Sequence, residues 1–367
     1  MAQSFLYLRY ILFAVAVRAQ TEWPCPATDD IDPCICTFSD DTYLDLDCSN
    51  ISNDTQLLTV FQAEFPFSKI RNFTIIGSAS TPVNIKHFNA DVFGNIYFEN
   101  IYIQYTTLST MDGDPFNRSQ STLQKVHITD NLLTTYPFDT LQSYTLLTDL
   151  RLNDNNLTHM ADIISPTLRH LDVSQNPVLR YGNEVFYDIP DLRTLRMRFD
   201  GLTNIAKNSF RYLTKLTTLD LTGNSVHILW NGSFWFESSL LRYVYINTNI
   251  LDTIEVDAIK FCNASTDPNT CDPLEGAKSP IFHMRNNLLT DLPSNVWEDI
   301  FNLPSAVSST NTSFDFIGNP ITCGCNIAWI VTNDNYFERV EPASTCENGD
   351  TFEELDPNFF EANCNVW

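Results

Sequence analysis

The sequence is poor in positive charge. It contains 21 Lys and Arg residues against 45 Asp and Glu residues, and its formal net charge is −24. Binding to nucleic-acid phosphates requires a basic face, so this composition argues against a nucleic-acid partner. The acidity instead favours solubility and biases association toward cationic or neutral partners.

Long hydrophobic runs are also scarce. One apolar stretch, residues 10–17, follows Arg9 and precedes the small residues around Ala19. It is too short to span a bilayer, so residues 1–19 are predicted to be a cleaved secretory signal, with a signal anchor as the alternative. No second stretch approaches membrane length, and the C-terminal residues form no hydrophobic tail. The mature protein is therefore expected to be soluble, secreted and extracellular, with no membrane anchor.

Catalytic sequence motifs are missing as well. The chain has no nucleophile elbow, no HExxH, no phosphate loop and no nucleotide fingerprint. Acidic pairs are common at this composition, but none has a catalytic context. The sequence therefore predicts a protein that is not an enzyme and that has no cofactor.

Cysteine, in contrast, is plentiful and points to an oxidising compartment. The ten cysteines form three groups with even numbers of members: Cys25, Cys34, Cys36 and Cys48; Cys262 and Cys271; and Cys323, Cys325, Cys346 and Cys364. Zinc sites typically use CxxC knuckles, and this chain has only CxC pairs, so disulfides are the better interpretation. Four cysteines permit three pairings, so spacing alone leaves the connectivity at both ends open. The middle pair is predicted to close a small surface loop.

An eleven-residue motif recurs along the chain. Residues 216–226, LTTLDLTGNSV, align with copies that start at positions 123, 147, 168, 192 and 241, so the successive steps are 24, 21, 24, 24 and 25 residues. Weaker copies start at positions 70, 98, 279 and 311. A period of about 20–29 residues with the pattern LxxLxLxxNxL is typical of leucine-rich repeats, in which each repeat forms one coil of a solenoid.

The motif also predicts the path of each coil. Its central xLxLx segment forms a short strand that points two apolar side chains inward and their neighbours outward. The asparagine follows the strand, where its amide can bond backbone groups that the bend leaves unpaired. One coil cannot offset the entropy of ordering its own backbone, so the coils must stack. The predicted fold class is an α/β leucine-rich-repeat solenoid, or horseshoe, with a parallel concave sheet, a mostly irregular convex side and disulfide caps at both ends.

The outward strand positions form a candidate binding face. Arg and Tyr, which are common at binding hot spots, occur among them, and basic residues outnumber acidic ones there. The candidate residues on the concave face are Tyr102, Lys125, His127, Arg151, His170, Arg196, Arg198, Tyr243, Tyr245, His283 and Arg285. Because strands also tolerate such residues without a ligand, a plain solvated surface is the alternative.

The histidines on this face do not predict a metal site. His127 and His170 belong to coils two apart, which separates them by roughly 10 Å at the usual strand spacing. They cannot share one metal ion, so surface histidines are the preferred interpretation.

Aromatic residues recur between the repeats and are predicted to form a spine inside the coils, with a cofactor-binding box as the alternative. They are Phe93, Phe116, Phe138, Phe186, Phe210, Phe234 and Trp297, of which Trp297 fits the spacing least well. The period breaks near residues 252–278, where Cys262 and Cys271 occur. This insertion is either a binding finger or a tolerated excursion, and the sequence leaves both open.

Sequons for N-glycosylation are frequent, as expected for an exported protein. They occur at Asn50, Asn53, Asn72, Asn117, Asn156, Asn231, Asn263 and Asn311.

The cysteine groups at the two ends resemble the caps of extracellular leucine-rich-repeat proteins. The motifs are CPATDDIDPCICTFSDDTYLDLDC at residues 25–48 and NPITCGCNIAWIV at residues 319–331. The resemblance implies that the first cysteine of each cap pairs with the third and the second with the fourth. The implied disulfides are Cys25–Cys36, Cys34–Cys48, Cys323–Cys346 and Cys325–Cys364. Trp329 is expected to cover the last coil from a short helix that begins near Asn326.

Longer stretches resemble a narrower family of arthropod secreted proteins. They are FQAEFPFSKIRNFTI at 61–75, LTTYPFDTLQSYTLLTDLRLNDNNLT at 133–158 and LDPNFFEANC at 355–364. The family is that of the non-catalytic subunit of Oplophorus luciferin 2-monooxygenase, and the likeness extends over nearly all of the mature chain. In that family the oxidation belongs to a separate small catalytic subunit. The resemblance therefore implies a scaffolding or stabilising role.

We accordingly expect a secreted, non-enzymatic subunit whose partner is another secreted protein, such as a small catalytic subunit. The alternative is a free extracellular recognition protein that binds glycan, microbial or toxin ligands. The expected organisation is a signal at 1–19, an N-terminal cysteine cap and lead-in segment at 20–69, an array of about ten coils at 70–318 and a C-terminal cysteine cap at 319–367.

Overall fold

A computed structural model describes residues 24–39, 43–177, 179–182, 184–264, 267, 269–307 and 312–364. The predicted signal, residues 1–19, lies outside these ranges. Within them, a twelve-stranded sheet extends from one cysteine cap to the other. In chain order its strands are β1 Ile35–Phe38, β2 Leu44–Asp47, β3 Lys69–Ile76, β4 Tyr97–Gln104, β5 Lys125–Thr129, β6 Asp149–Arg151, β7 His170–Asp172, β8 Thr194–Arg196, β9 Thr218–Asp220, β10 Tyr243–Tyr245, β11 Ile281–His283 and β12 Phe314–Asp315.

The register of this sheet confirms the repeat frame. The hairpin of β1 and β2 is antiparallel, and every later neighbour pairs in parallel. The third residue of each motif copy lies opposite the third residue of the next, as in Thr194↔Thr218 and Thr218↔Tyr243. The frame persists across the long step at the insertion, where Tyr243 pairs with Ile281. The period read from the sequence is therefore the spacing of the strands.

Each coil turns out of its strand through a left-handed residue placed directly before the motif asparagine. Asp130, Asp154, Gln175 and Thr248 have φ between 53° and 59° there, and Phe199, with φ of 56°, precedes Asp200 at the equivalent position. Gly223 and Gly318 occupy the same position with φ of 75°. This conformation reverses the chain direction and buries the asparagine that follows.

The buried asparagines form a ladder that joins neighbouring coils. The Nδ2 group of Asn224 donates to the carbonyls of Met197 and Leu221, both at 2.8 Å. Its Oδ1 accepts the backbone N–H groups of Asp200 at 3.0 Å and Leu202 at 3.1 Å. The side chain thus satisfies backbone groups of its own coil and of the coil before it, as the motif predicted.

The side opposite the sheet is mostly irregular. Four short strand pairs lie there within the described residues: His87–Phe88 with Thr110–Met111, His159–Met160 with Arg180–Tyr181, Ile228–Leu229 with Thr253–Ile254, and Phe234–Phe236 with Ile259–Phe261. The α-helices are α1 Thr28–Ile31, α2 Asp54–Val60, α3 Ser294–Phe301, α4 Ala328–Val331, α5 Asp334–Phe337 and α6 Pro357–Asn363. The 3₁₀ turns are Asn117–Ser119, Phe138–Ser143, Cys325–Ile327 and Phe352–Glu354.

The predicted aromatic residues line the interior. All of them, from Phe93 to Trp297, are at most 2% exposed. Rings of successive coils lie in contact: the centroids of Phe93 and Phe116 are 5.4 Å apart, and those of Phe210 and Phe234 are 6.0 Å apart. Trp297 projects from α3 instead of an irregular segment, and its ring meets Phe314 edge-on at 5.7 Å. The helix explains why Trp297 deviates from the sequence spacing.

Disulfides close both ends of the solenoid with the pairings that the cap resemblance implied. They join Cys25 to Cys36, Cys34 to Cys48, Cys323 to Cys346, and Cys325 to Cys364. A fifth joins Cys262 to Cys271 in the insertion. Trp329 lies on α4, after a 3₁₀ turn that starts at Cys325, and its indole donates to the carbonyl of Leu292 at 2.9 Å.

Candidate functional site

The structure places the candidate binding residues on the solvent side of the main sheet. Tyr102, Lys125, His127, Arg151, His170, Arg196, Tyr243, Tyr245 and His283 lie on strands β4 to β11. Arg198 and Arg285 lie two residues beyond the ends of their strands. We call this surface, formed by the outward side chains of β3 to β12, the sheet face.

One line of residues, which we call the middle row, runs across the sheet face perpendicular to the strands. In register order it consists of Thr74, Tyr102, His127, Arg151, Asp172, Arg196, Asp220, Tyr245, His283 and Asp315. Its centre alternates arginine and aspartate on neighbouring strands. Opposite charges placed across neighbouring strands stabilise a sheet, so this alternation accounts for the density of charge on the face.

On β5 and β6, the side chain of Asp149 lies between those of His127 and Arg151. Arg151 donates to it through Nε and one terminal nitrogen, both at 3.0 Å. The Nε2 atom of His127 lies 3.1 Å from its Oδ2, in a close ion-pair contact that is not aligned as a hydrogen bond. Burial by itself would raise the pKa of Asp149, but the interactions with His127 and Arg151 outweigh it and the pKa is lowered.

A second buried carboxylate, Asp315, is held in the same manner near the C-terminal end. The Nδ1 atom of His283 lies 3.3 Å from its Oδ2, and Nε of Arg285 donates to the same oxygen. Burial again opposes ionisation, but the hydrogen bonds from His283 and Arg285 prevail and the pKa of Asp315 is lowered. Similar His–Asp–Arg clusters therefore lie at β5 and β6 and at the C-terminal end of the sheet face.

Two longer ion pairs lie between these clusters. Arg196 approaches Asp172 on the neighbouring strand at 3.7 Å, and Arg198 approaches Asp220 at 3.7 Å.

At the N-terminal edge of the sheet face, Nε of Arg71 donates to Asp45 at 3.0 Å. Asp45 also accepts Nδ2 of Asn72 at 2.8 Å. Ion pairs therefore occur from the first cap to the last coil.

Aromatic rings flank the charged centre of the face. Tyr102 meets the ring of His127 edge-on, with centroids 5.2 Å apart. Tyr245 stacks on His283 at 4.5 Å with an interplanar angle of 3°, and Tyr243 lies 6.1 Å from Tyr245. Partial burial raises the pKa values of Tyr102 and Tyr245, so both phenols stay neutral at physiological pH.

The candidate residues chosen from the sequence did not include the carboxylates that lie beneath these cations, although outward aspartates were recognised. Asp149, Asp172 and Asp315 are 7%, 8% and 2% exposed, although they occupy outward strand positions. The repeat frame contained a usable signal for all three positions. Asp149 is the third residue of the copy at 147, and Asp172 and Asp315 are the fifth residues of the copies at 168 and 311, all of which are outward positions. Their burial carried no such signal, since it results from side chains of neighbouring coils.

Among the residues that the structure describes, no group of three or more His, Cys, Asp or Glu side chains could hold a metal ion. No helix in that part of the chain is both long and apolar enough to traverse a bilayer. A cavity of about 530 Å³ on the other side of the sheet is lined by residues that include Arg180, Tyr181 and Asp200, and this lining contains a single carboxylic acid and no histidine.

The sequons differ in their surroundings. Asn50, Asn53, Asn117, Asn156, Asn231 and Asn263 are exposed. Asn72 is half-buried on the sheet face, where its Oδ1 accepts from Asn100 at 3.1 Å. Asn311 lies outside the described residues. Exposure makes the first six the better acceptors for carbohydrate, and use of any sequon remains a prediction.

The parallel stacked coils, the asparagine ladder and the disulfide-bonded ends define the class: this is a leucine-rich-repeat solenoid. A sequence model of the family described as Leucine rich repeat matches residues 166–226. The chain is 27% identical over 341 residues to the Oplophorus-luciferin 2-monooxygenase non-catalytic subunit of Oplophorus gracilirostris, covering 93% of this chain and 88% of that protein. This similarity confirms the resemblance inferred from the sequence.

Solved structures agree on the fold. One chain in a structure described as an octameric complex of Latrophilin 3, Unc5D and FLRT2 superposes with a TM-score of 0.60 at 18% identity. The match covers 85% of this chain and 88% of that one. At this level of identity the likeness extends to the fold alone.

Proposed function

We propose that this protein is a non-catalytic subunit that binds and stabilises another protein, with the sheet face as its contact surface. The observation that carries the proposal is the sheet face itself: an ordered array of Arg, His and Tyr side chains that spans neighbouring coils. Such residue types dominate binding hot spots. The similarity to a protein described as a non-catalytic subunit supports the same role.

We further propose that the protein acts outside the cell. All ten cysteines are paired in five disulfides, and such bonds persist in oxidising compartments and are rare in the cytosol. The partner is then another exported protein. If residues 1–19 are a signal, expression in a secreting cell releases a chain whose N-terminus lies near position 20, as N-terminal sequencing would show.

Site-specific photocrosslinking tests the contact surface. A photoreactive phenylalanine derivative is placed at Thr218 on the sheet face or at Thr110, which is exposed on a strand outside the main sheet. Each protein is added to the fluid into which the native protein is exported, irradiated and analysed by mass spectrometry. We expect a one-to-one adduct with a single companion protein from position 218 and none from position 110. Equal labelling from both positions, or adducts with glycans only, would contradict the proposal.

A further inference from the structure

The sheet face is layered by charge. The Arg71–Asp45 pair at the N-terminal edge is equally exposed on both sides, at 31% each. In each of the four arginine–aspartate pairs from β6 to β12, however, the arginine side chain faces solvent while the carboxylate lies beneath it. The exposed fractions of the side chains are 44% and 10% for Arg151 and Asp149, 41% and 11% for Arg196 and Asp172, 42% and 14% for Arg198 and Asp220, and 47% and 3% for Arg285 and Asp315. A partner that approaches this face therefore meets cationic groups first.

The buried carboxylates also hold the cations in place. Arg151 directs two of its five N–H donors at Asp149, which fixes the plane of the guanidinium. The side chain therefore loses little further conformational entropy when a partner binds, because its outward N–H donors are already oriented toward another acceptor. A planar guanidinium suits a carboxylate particularly well, because two parallel N–H groups match its two oxygens.

Burial and neighbouring charges both act on His170, which lies on β7 near the centre of the face. Partial burial lowers the pKa of His170 first. Asp149 acts in the opposite direction, and the charges of Arg151, Arg196 and Arg193 lower the pKa again. The imidazole is therefore mostly neutral at pH 7 and adds little positive charge to the face.

The net charge of the whole chain is negative, which contrasts with the exposed arginines of the sheet face. The sequence carries a formal charge of −24, so most of the molecule repels an acidic ligand. At physiological ionic strength such repulsion is screened beyond about 8 Å, whereas contacts within the face are not. An acidic ligand is therefore favoured at the sheet face, where arginine side chains lie above the carboxylates.

The dimensions of the face limit the length of the ligand. Arg151 on β6 and Arg285 after β11 are separated by five strand intervals, which is about 24 Å. An extended peptide covers that distance with roughly seven or eight residues. Tyr243 and Tyr245 lie within this span and offer ring faces to an aromatic side chain of the ligand.

We propose that the sheet face receives an extended acidic segment of its protein partner, roughly eight residues long, whose carboxylates pair with Arg151, Arg196, Arg198 and Arg285. This inference rests on the proposed function, because it specifies the partner of the same surface.

The test uses the full mature chain and a fluorescent eight-residue peptide of alternating glutamate and tyrosine. Three further probes are a glutamine analogue, a lysine analogue and a heparin octasaccharide. Binding is followed by fluorescence anisotropy at physiological salt. We expect the glutamate peptide to bind, and the glutamine and lysine analogues to bind at least about tenfold more weakly, because charge-assisted hydrogen bonds supply the affinity.

Matched variants identify the surface. Arg196→Gln with Arg198→Gln removes two positive charges from the sheet face. Lys86→Gln with Arg180→Gln removes two from exposed positions in or beside strand pairs outside the main sheet. We expect a loss of at least about tenfold in peptide affinity for the first pair and no loss for the second. Arg196→Lys with Arg198→Lys keeps the positive charge but removes the planar guanidinium that can bind a carboxylate through two parallel N–H groups. We expect an intermediate peptide affinity for this variant.

Three results would overturn the inference: equal peptide binding by both glutamine pairs, no binding of the glutamate peptide, or tighter heparin binding that depends on Arg196 and Arg198. The last would assign the face to a sulfated glycan. The arginine-to-lysine pair keeps the test informative if the glutamine pair does not fold.

The photocrosslinking experiment reports separately on the proposed function. If it captures a companion at position 218 that has no acidic residues at the crosslink, this inference is refuted while the proposed function still holds.

Discussion

Asp200 accepts the backbone N–H of Asn176 through Oδ1 at 2.8 Å, and it occupies the ladder position that asparagine fills in the neighbouring coils. Its Oδ2 is buried and has no hydrogen-bond partner among the described residues. The corresponding Nδ2 of Asn176 donates to the carbonyls of Leu152 and Val173. A carboxylate thus replaces a donor at a site where backbone carbonyls require one.

Replacing Asp200 with asparagine should stabilise the protein at neutral and alkaline pH. Burial raises the pKa of Asp200 to about 8, against the opposing hydrogen bond from Asn176. The folded state therefore holds a proton that the unfolded chain releases near pH 4, and stability falls as pH rises from about 4 to 8. Asp200→Asn removes this loss, so its advantage over the wild type should grow to a few kcal/mol above pH 8, at about 1.4 kcal/mol per pKa unit.

Urea denaturation of both proteins at pH 5 and pH 9 measures the effect. Asn176→Asp is the matched control, since it introduces a second acid into the ladder and should destabilise at pH 9. A constant difference between Asp200→Asn and wild type at the two pH values would show that Asp200 does not titrate in this way.

Removing one asparagine of the ladder should lower the free energy of unfolding. Asn224→Ala removes two donated and two accepted hydrogen bonds and leaves buried backbone groups of two coils unpaired. We expect a loss of about 2–4 kcal/mol in the free energy of unfolding, because each unsatisfied buried group costs about 1–3 kcal/mol and the site relaxes in part. Asn204→Ala, at an exposed position of a neighbouring coil, should change it by less than about 0.5 kcal/mol. Comparable losses in the two variants would contradict a structural role for the ladder.

Asp149 should stabilise the fold only while it is ionised. Its pKa is lowered in the folded state, so its contribution is complete above the unfolded pKa of about 4 and disappears as pH falls toward the folded value. Asp149→Asn should therefore cost about 1–3 kcal/mol at pH 7 and progressively less below pH 4. Thermal unfolding across this range, with Asp162→Asn at an exposed position as control, measures the difference. A loss that is independent of pH would mean that packing rather than charge explains it.

The cap disulfides should matter more than the disulfide of the insertion. The Cys325–Cys364 bond closes a separation of 39 residues, whereas Cys262–Cys271 closes 9. Replacing both cysteines of the cap pair with alanine should lower stability by about 2–5 kcal/mol and expose the last coils, while the insertion pair should cost less. Hydrogen exchange read by mass spectrometry should show faster exchange at β12 in the cap variant only. Equal exchange there in both variants would argue against a capping role.

The repeat pattern was sufficient to predict strand positions, register and the burial of the apolar motif residues. In Thr194–Arg196, for example, the alternation of side chains along a strand determines that Leu195 faces the core. The identical frame of the next copy then places Leu219 beside it. These properties are local, because direction alternates with period two and the coil length sets the strand spacing.

The repeat pattern did not predict the position of Trp297. Its spacing is irregular because α3 replaces the usual loop, and helix formation there depends on burying Trp297, Ile300 and Phe301 against the last coils. The cap pairings likewise came from resemblance, since the spacing of four cysteines permits three connectivities.

The sequence by itself determined the solenoid, because each repeat carries its own strand, bend and asparagine and needs only a copy of itself as neighbour. Only the tertiary structure decided which charges lie uppermost on the sheet face. Asp315 and His283 are 32 residues apart in the chain and meet because two coils stack across a connection that contains α3. The depth of each carboxylate depends on side chains from the coils on either side, and no pattern within a single repeat encodes that depth.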